Sequence, residues 1–218
     1  MAKISALQVK ELRGITGAPM GDCKKALVES EGDLTKATEW LQKRNAAKVE
    51  KKAGRTAAEG LIQTYLHHDG RTGVIAEVNS ETDFVAKNED FRQFVRDLCM
   101  HIAALSPTYV SRDDVPANVV AKQVEIAEAQ VREMGKPEHL VPRIAEGKVK
   151  SWYADHCLLD QPYVKDDKNR AVSVVLTELA GKIGEKLVIR RFVRYELGDG
   201  IEKKTDDFAD EVARMAAN

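Results

Sequence analysis

The amino-acid sequence predicts an α+β protein, and three changes of hydrophobic period carry that expectation. Apolar residues recur at helical spacing through about residue 45, at a spacing of two after Gly60, and at helical spacing again from Glu89. This order predicts a three-helix unit at 1–45, a basic linker at 46–59, a core of sheet and helices at 60–204 and a C-terminal segment at 205–218. A chain of 218 residues is long enough to bury a sizeable core within one or two domains.

Each element has a local chemical reason. Ser5 followed three residues later by Gln8 is a capping-box pattern leading into Val9 and Leu12. Pro19 suits the first turn of a second helix, on which Cys23, Ala26, Leu27 and Ser30 share a face. Gly32 and Asp33 pair a helix-ending glycine with a new N-cap, after which Leu34, Ala37 and Leu41 repeat. The stretch "NAAKVEKKAGRTAAEG" is basic and alanine-rich with no broad apolar face, and reads as a linker with some helix in it. It lacks the aromatics that an RNA-binding arm would use for base stacking.

"LIQTYLHH", Asp69-Gly70 and "TGVIAEVNS" form a β-hairpin signal, the turn pair tolerating positive φ. From Glu89, residues Phe91, Val95, Leu98 and Ile102 make one helical stripe. Val120, Val124, Ala127, Val131 and Met134 alternate steps of four and three, and Leu140, Ile144 and Val149 return after "MGKPEHL". These predict an antiparallel helical hairpin at about 114–158, projecting from the core. "QPYVKDD" then reads as a loop, "AVSVVLTELAGKIG" as a helix, "KLVIRRFVRYELG" as a strand and "DDFADEVARMAAN" as a final short helix.

Composition narrows the function. Charged residues make up 32% of the chain and nearly cancel, at net −1. Nucleic-acid affinity leans on phosphate neutralisation, so this balance argues against direct nucleic-acid binding. No apolar run approaches the ~20 residues of a membrane span, and "MAKISALQVKELRG" lacks the apolar block of a signal peptide. Cys23, Cys99 and Cys157 are scattered and form no CxxC pair, which fits reduced thiols in a cytoplasmic protein.

Catalytic sets are not evident either. His67 and His68 would point to opposite faces if both lay on a strand, and so would not share an ion with Glu77. Asp155, His156 and Cys157 hold the side chains of a thiol site, but neighbours in sequence rarely face one another. "GKIGEK" lacks the ending of a phosphate loop. No metal site and no cofactor is expected.

The stretch "SETDFVAKNEDF", Ser80 to Phe91, leaves two readings open. Phe84 and Phe91 lie seven apart, so one continuous helix would bury both on a single stripe. If Asn88 instead ends one turn and caps the next helix, the phase resets and Phe84 faces outward. Asp83 has a local role available as a helix N-terminal carboxylate paired with Lys87 four residues on.

"DCKKAL" at Asp22–Leu27, "HHDGRTGVIAEVNSETDFVAKNEDF" at His67–Phe91 and "GDGIEK" at Gly198–Lys203 together resemble the bacterial and organellar elongation factor Ts family. The resemblance implies a guanine-nucleotide exchange factor that binds elongation factor Tu carrying GDP and promotes GDP release in translation. It implies a ubiquitin-associated-like N-terminal bundle and no catalytic residues. Thr82, Asp83, Phe84 and Val85 fall at the family's TDFV motif, which disturbs the partner's magnesium and phosphate site. Lys24, Val164 and Met215 match docking contacts of the bundle, the core and the C-terminal segment. Ser80 departs from the Cys common before Glu-Thr-Asp-Phe in that family. Longer members carry the core unit twice and this chain carries it once, which implies a homodimer and a two-to-two complex with Tu. The rival expectations are a bundle-type adaptor that changes no nucleotide affinity, and a small metal- or thiol-dependent enzyme.

Overall fold

The computed structural model describes residues 4–201. Its first three helices are α1 (Ala6–Thr16), α2 (Met20–Glu29) and α3 (Leu34–Glu50). Ser5 and Gln8 close the capping box, Gly32 takes φ +87°, and the Asp33 carboxylate accepts from the Thr35 and Lys36 amides. Pro19 sits one position earlier than expected, as the N-cap of α2. Val9, Leu12, Cys23, Ala26, Leu27, Ala37 and Leu41 pack into one apolar cluster.

The helix α3 continues to Glu50, five residues into the stretch expected to link the two parts. Ala46, Ala47 and Lys48 are strong helix formers, and Val49 gives the extra turn an apolar contact with the core. Beyond the helix the stretch is fastened down. The Lys52 ammonium donates to the Gly184 carbonyl, Lys186 donates to the carbonyls of Ala53 and Arg55, and Arg55 pairs with Glu81. Close approach to the core also depends on Gly181, where an added Cβ would stand 2.7 Å from the Asn45 side chain.

The core is a three-stranded antiparallel sheet in the order β1 (Glu59–Leu66), β2 (Thr72–Ser80), β3 (Leu187–Glu196). Glu59 pairs with Ser80 and Leu66 with Gly73, and Gly70 takes φ +67° in the turn as the hairpin requires. Gly60 takes φ +131°, and an added Cβ would meet the Val78 carbonyl oxygen at 2.2 Å, so no other residue fits the start of β1. A bulge between Glu77 and Val78 brings both Arg190 and Arg191 onto the Glu77 carboxylate.

One face of the sheet is covered. Val74, Ala76, Val78, Leu187 and Ile189 pack on helix α5 (Glu89–Leu105), whose Phe91, Val95, Leu98 and Ile102 are fully buried as the stripe predicts. Val172 and Ala180 of helix α8 (Val172–Ile183) complete this core. The other face carries Ile62, Ile75, Val193 and Tyr195 in the open, Tyr195 at 70% exposure.

Helices α6 (Ala117–Glu133) and α7 (Val141–His156) form the projecting hairpin. Its seam is shorter than the spacing suggests. Ala127, Ala145 and Val149 cluster, and Val131 is buried, but Val124 is exposed and Met134 is 60% exposed. A two-helix hairpin offers each helix one partner, so the flank and outer end of the stripe stay uncovered.

The expected C-terminal helix at 205–218 lies outside the described residues. Among the described residues no helix is long and apolar enough to cross a membrane.

Candidate functional site

Between β2 and α5 the chain makes one short helix, α4 (Asp83–Ala86), and then restarts. The Lys87 and Asn88 amides close the turn onto the Phe84 and Val85 carbonyls, at 3.1 and 2.9 Å. The Asn88 carboxamide oxygen then accepts from the Phe91 amide at 3.1 Å and caps α5. This break settles the two readings of Phe84. Phe91 is wholly buried, whereas Phe84 is 75% exposed.

Two neighbours organise the exposed tip. The Lys87 ammonium donates to Asp83 Oδ2 at 2.9 Å and lies 5.5 Å from the Phe84 ring centroid. That hydrogen bond is the main reason the Asp83 carboxyl titrates below the ordinary carboxylate range. A carboxylate and a bare phenyl ring therefore stand side by side at the surface, with one lysine serving both.

Underneath, Val85 is buried in the core cluster. Its side chain turns inward, away from Phe84, and anchors α4 to the sheet. Thr82 is half-buried and turned to Glu185, its amide donating to Oε2 at 2.9 Å and its hydroxyl to Oε1 at 2.7 Å. Glu81 makes the reciprocal contacts, accepting from the Lys186 amide at 2.6 Å and the Arg55 guanidinium at 2.9 Å. The Lys186 amide first, and Arg55 second, hold the Glu81 carboxyl below its ordinary range. Neither Glu81 nor Glu185 stood out in the sequence, since a carboxylate at a turn carries no periodic signal.

The docking candidates lie elsewhere on the surface. Lys24 is exposed on α2, two residues after Asp22, which ties α2 to α3 through Lys48 at 2.8 Å and Arg44 at 3.3 Å. The Lys48 hydrogen bond keeps the Asp22 carboxyl below its ordinary range. Val164 is 48% exposed, in the loop before α8. Its amide donates at 3.2 Å to Nδ1 of the wholly buried His101, so the His101 proton sits on Nε2 and donates to Gln161 Oε1 at 3.0 Å. Burial pushes the His101 pKa down and keeps the ring neutral. Met215 lies outside the described residues.

Asp166, two residues beyond Val164, is bound by Arg170 at 2.7 Å, and Arg170 also reaches Glu178 at 2.6 Å. Arg170 holds the Asp166 carboxyl at about 2. Because the folded value lies below the ordinary 3.8, the stabilisation is complete above that pH and is lost as the pH falls through about 2. A carbon-detected NMR titration is expected to find Asp166 still ionised at pH 3.8, and measurably more protonated there in Arg170→Ala, where the amides of residues 168 and 170 remain to hold part of the shift. Equal protonation in both proteins would sink the assignment of the ion pair.

The side chains considered for chemistry do not assemble. His67 and His68 lie past the end of β1 rather than on it, and their rings meet edge to face at 4.2 Å. Glu77 is occupied by its two arginines. His156 Nδ1 donates to the Trp152 carbonyl, and burial pushes the Cys157 thiol up, away from the reactive thiolate. Among the described residues no group of three or more His, Cys, Asp or Glu side chains could hold a metal ion.

Comparison with known proteins covers this whole arrangement. A family model described as elongation factor TS matches residues 6–199. A protein named elongation factor Ts from Desulforamulus reducens is 53% identical over 213 residues, 98% of each chain. One of the same name from an Anaeromyxobacter species (strain Fw109-5) is 52% identical over 216 residues, 99% of this chain and 98% of that one. Another from Geobacter metallireducens is 54% identical over 213 residues, again 98% of each.

Proposed function

The chain belongs to the elongation factor Ts family, and from that premise we propose that it is a guanine-nucleotide exchange factor for elongation factor Tu in the cytoplasm. It binds Tu carrying GDP, perturbs the magnesium and phosphate site, and holds the nucleotide-free form until GTP arrives. The observation that carries the reading is the outward Phe84 on a short, anchored helix. An aromatic ring kept bare beside an ion-paired carboxylate contributes little to its own fold and is free to fill a partner's pocket.

The thermodynamics define the task. An exchange factor must bind the nucleotide-free GTPase more tightly than the GDP-bound one, since only differential affinity shifts an equilibrium. By linkage, GDP then weakens the factor's binding by the same ratio that the factor weakens GDP's. A phenyl ring inserted between two packed helices moves them in a discrete step rather than a continuous stretch. Displacing the magnesium leaves the GDP phosphates without a counter-charge, which weakens their hold. Asp83 supplies the negative partner of the wedge, and Lys24 and Val164 dock the bundle and core. Thr82 positions the wedge from behind. No bond is made or broken in the factor, so it works as a binding protein and not as an enzyme.

The assembly proposed is a homodimer engaging two Tu molecules. The uncovered sheet face with Ile62, Ile75, Val193 and Tyr195 supports it, because exposed contiguous apolar surface marks an interaction site.

Stopped-flow release of fluorescent GDP from elongation factor Tu tests the function. The expected result is acceleration that saturates with factor concentration. Binding to Tu without acceleration would replace the exchange reading with an adaptor.

A further inference from the structure

We infer that Glu185 is a positioning residue for the Asp83–Phe84 tip. This rests on the exchange reading above and deepens it. Glu185 lies in the turn between α8 and β3, 103 residues from Thr82 in sequence, yet its two carboxylate oxygens take both the Thr82 amide and the Thr82 hydroxyl. Thr82 is the N-cap of α4, and its own hydroxyl makes no cap to the helix. The hydroxyl is spent on Glu185 instead, so the direction in which α4 leaves the sheet is set by a group outside the motif.

The geometry has the form of a clasp. Glu185 reaches from the α8–β3 turn to the β2–α4 turn, and Glu81 reaches back from the second to the first, accepting from the Lys186 amide. Two adjacent residues of each turn are thereby engaged, and both bonds of Glu185 are charge-assisted. A helix of four residues cannot hold its own orientation through internal hydrogen bonds. Val85 fixes the depth of α4, and the clasp fixes its rotation about that anchor. A tip that inserts between partner helices after the bundle and core have docked depends on that rotation, because a geometry not held in advance must be ordered in the exchange step itself.

The test uses Glu185→Ala and Glu185→Gln in the full chain. A glutamine carboxamide at this position can accept from the Thr82 amide and donate to the Thr82 hydroxyl, which preserves the clasp without its charge. In Glu185→Ala the rate of GDP release at saturating factor is expected to fall at least about tenfold, since both charge-assisted hydrogen bonds to Thr82 are lost from a preorganised segment. The half-saturating concentration should stay within about twofold, since Lys24 and Val164 are untouched. Glu185→Gln should recover most of the rate. Amide hydrogen exchange at Thr82 and Phe84, read by NMR on the free protein, should quicken in the alanine variant alone.

An unchanged maximal rate in Glu185→Ala, with an active wild type, overturns the positioning role and leaves the exchange reading standing. So does a loss confined to half-saturation. A loss of rate in both variants, with exchange quickened across the core, means Glu185 only stabilises the fold and overturns it too. A wild type that leaves GDP release unaltered overturns the exchange reading first, and the positioning role with it.

Discussion

Replacing Phe84 by alanine is expected to slow factor-stimulated GDP release by roughly 30-fold, the loss of an aromatic anchor that contributes about 2 kcal/mol. The fold should barely notice. The ring is 75% exposed, its nearest partner is the exposed Lys87, and no core residue closes over it. The change in unfolding free energy should therefore be under about 1 kcal/mol. Paired measurements decide the matter: stopped-flow release from Tu at a fixed factor concentration, and urea unfolding followed by circular dichroism. Normal release from the folded variant would remove the wedge from the mechanism. A large loss of stability would mean that Phe84 is a packing residue despite its exposure.

Phe91, seven residues on, should behave in the opposite way. It is the largest fully buried side chain among the described residues, set in α5 within the core cluster beneath the sheet. Truncation to alanine removes its transfer energy and leaves a cavity that a sheet-and-helix core closes only in part, at a cost of about 3–5 kcal/mol. Domains have total stabilities of roughly 5–15 kcal/mol, so the urea midpoint should drop sharply. Folded Phe91→Ala below its midpoint should still accelerate GDP release, because nothing in the exposed tip is altered. A loss under about 1 kcal/mol would contradict the buried placement. With these outcomes the two phenylalanines would separate function from fold within a single short stretch of chain.

That separation is legible in the sequence through one residue. Asn88 between the two rings is a cap, and a cap resets helical phase, which is why two residues seven apart face opposite ways. Other local chemistry is equally readable: Ser5 with Gln8, Gly32 with Asp33, and Asp69-Gly70 each act over a few residues, and each stands where its pattern predicts. Membership of the TDFV motif says nothing about which of its side chains turn inward, and only the structure shows Val85 buried beside the exposed Phe84. Contacts across long spans are invisible. Glu185 meets Thr82, and His101 meets the Val164 amide, only after the sheet and α8 have brought distant turns together. The extension of α3 to Glu50 belongs to the same class, since its last turn is completed by tertiary contact through Val49.

The fastening of the stretch after α3 sets how the proposed contacts cooperate. Arg55 is tied to Glu81, and Glu81 adjoins Thr82, so the bundle bearing Lys24 and the tip bearing Phe84 are held at one spacing. Two contacts on a loose tether would meet a partner at an effective concentration that falls as the tether lengthens. Here a first contact at the bundle would deliver the second. On the proposed reading, a partner docked on the bundle would find the tip already at its station, and its search for the second contact would reduce to a local adjustment.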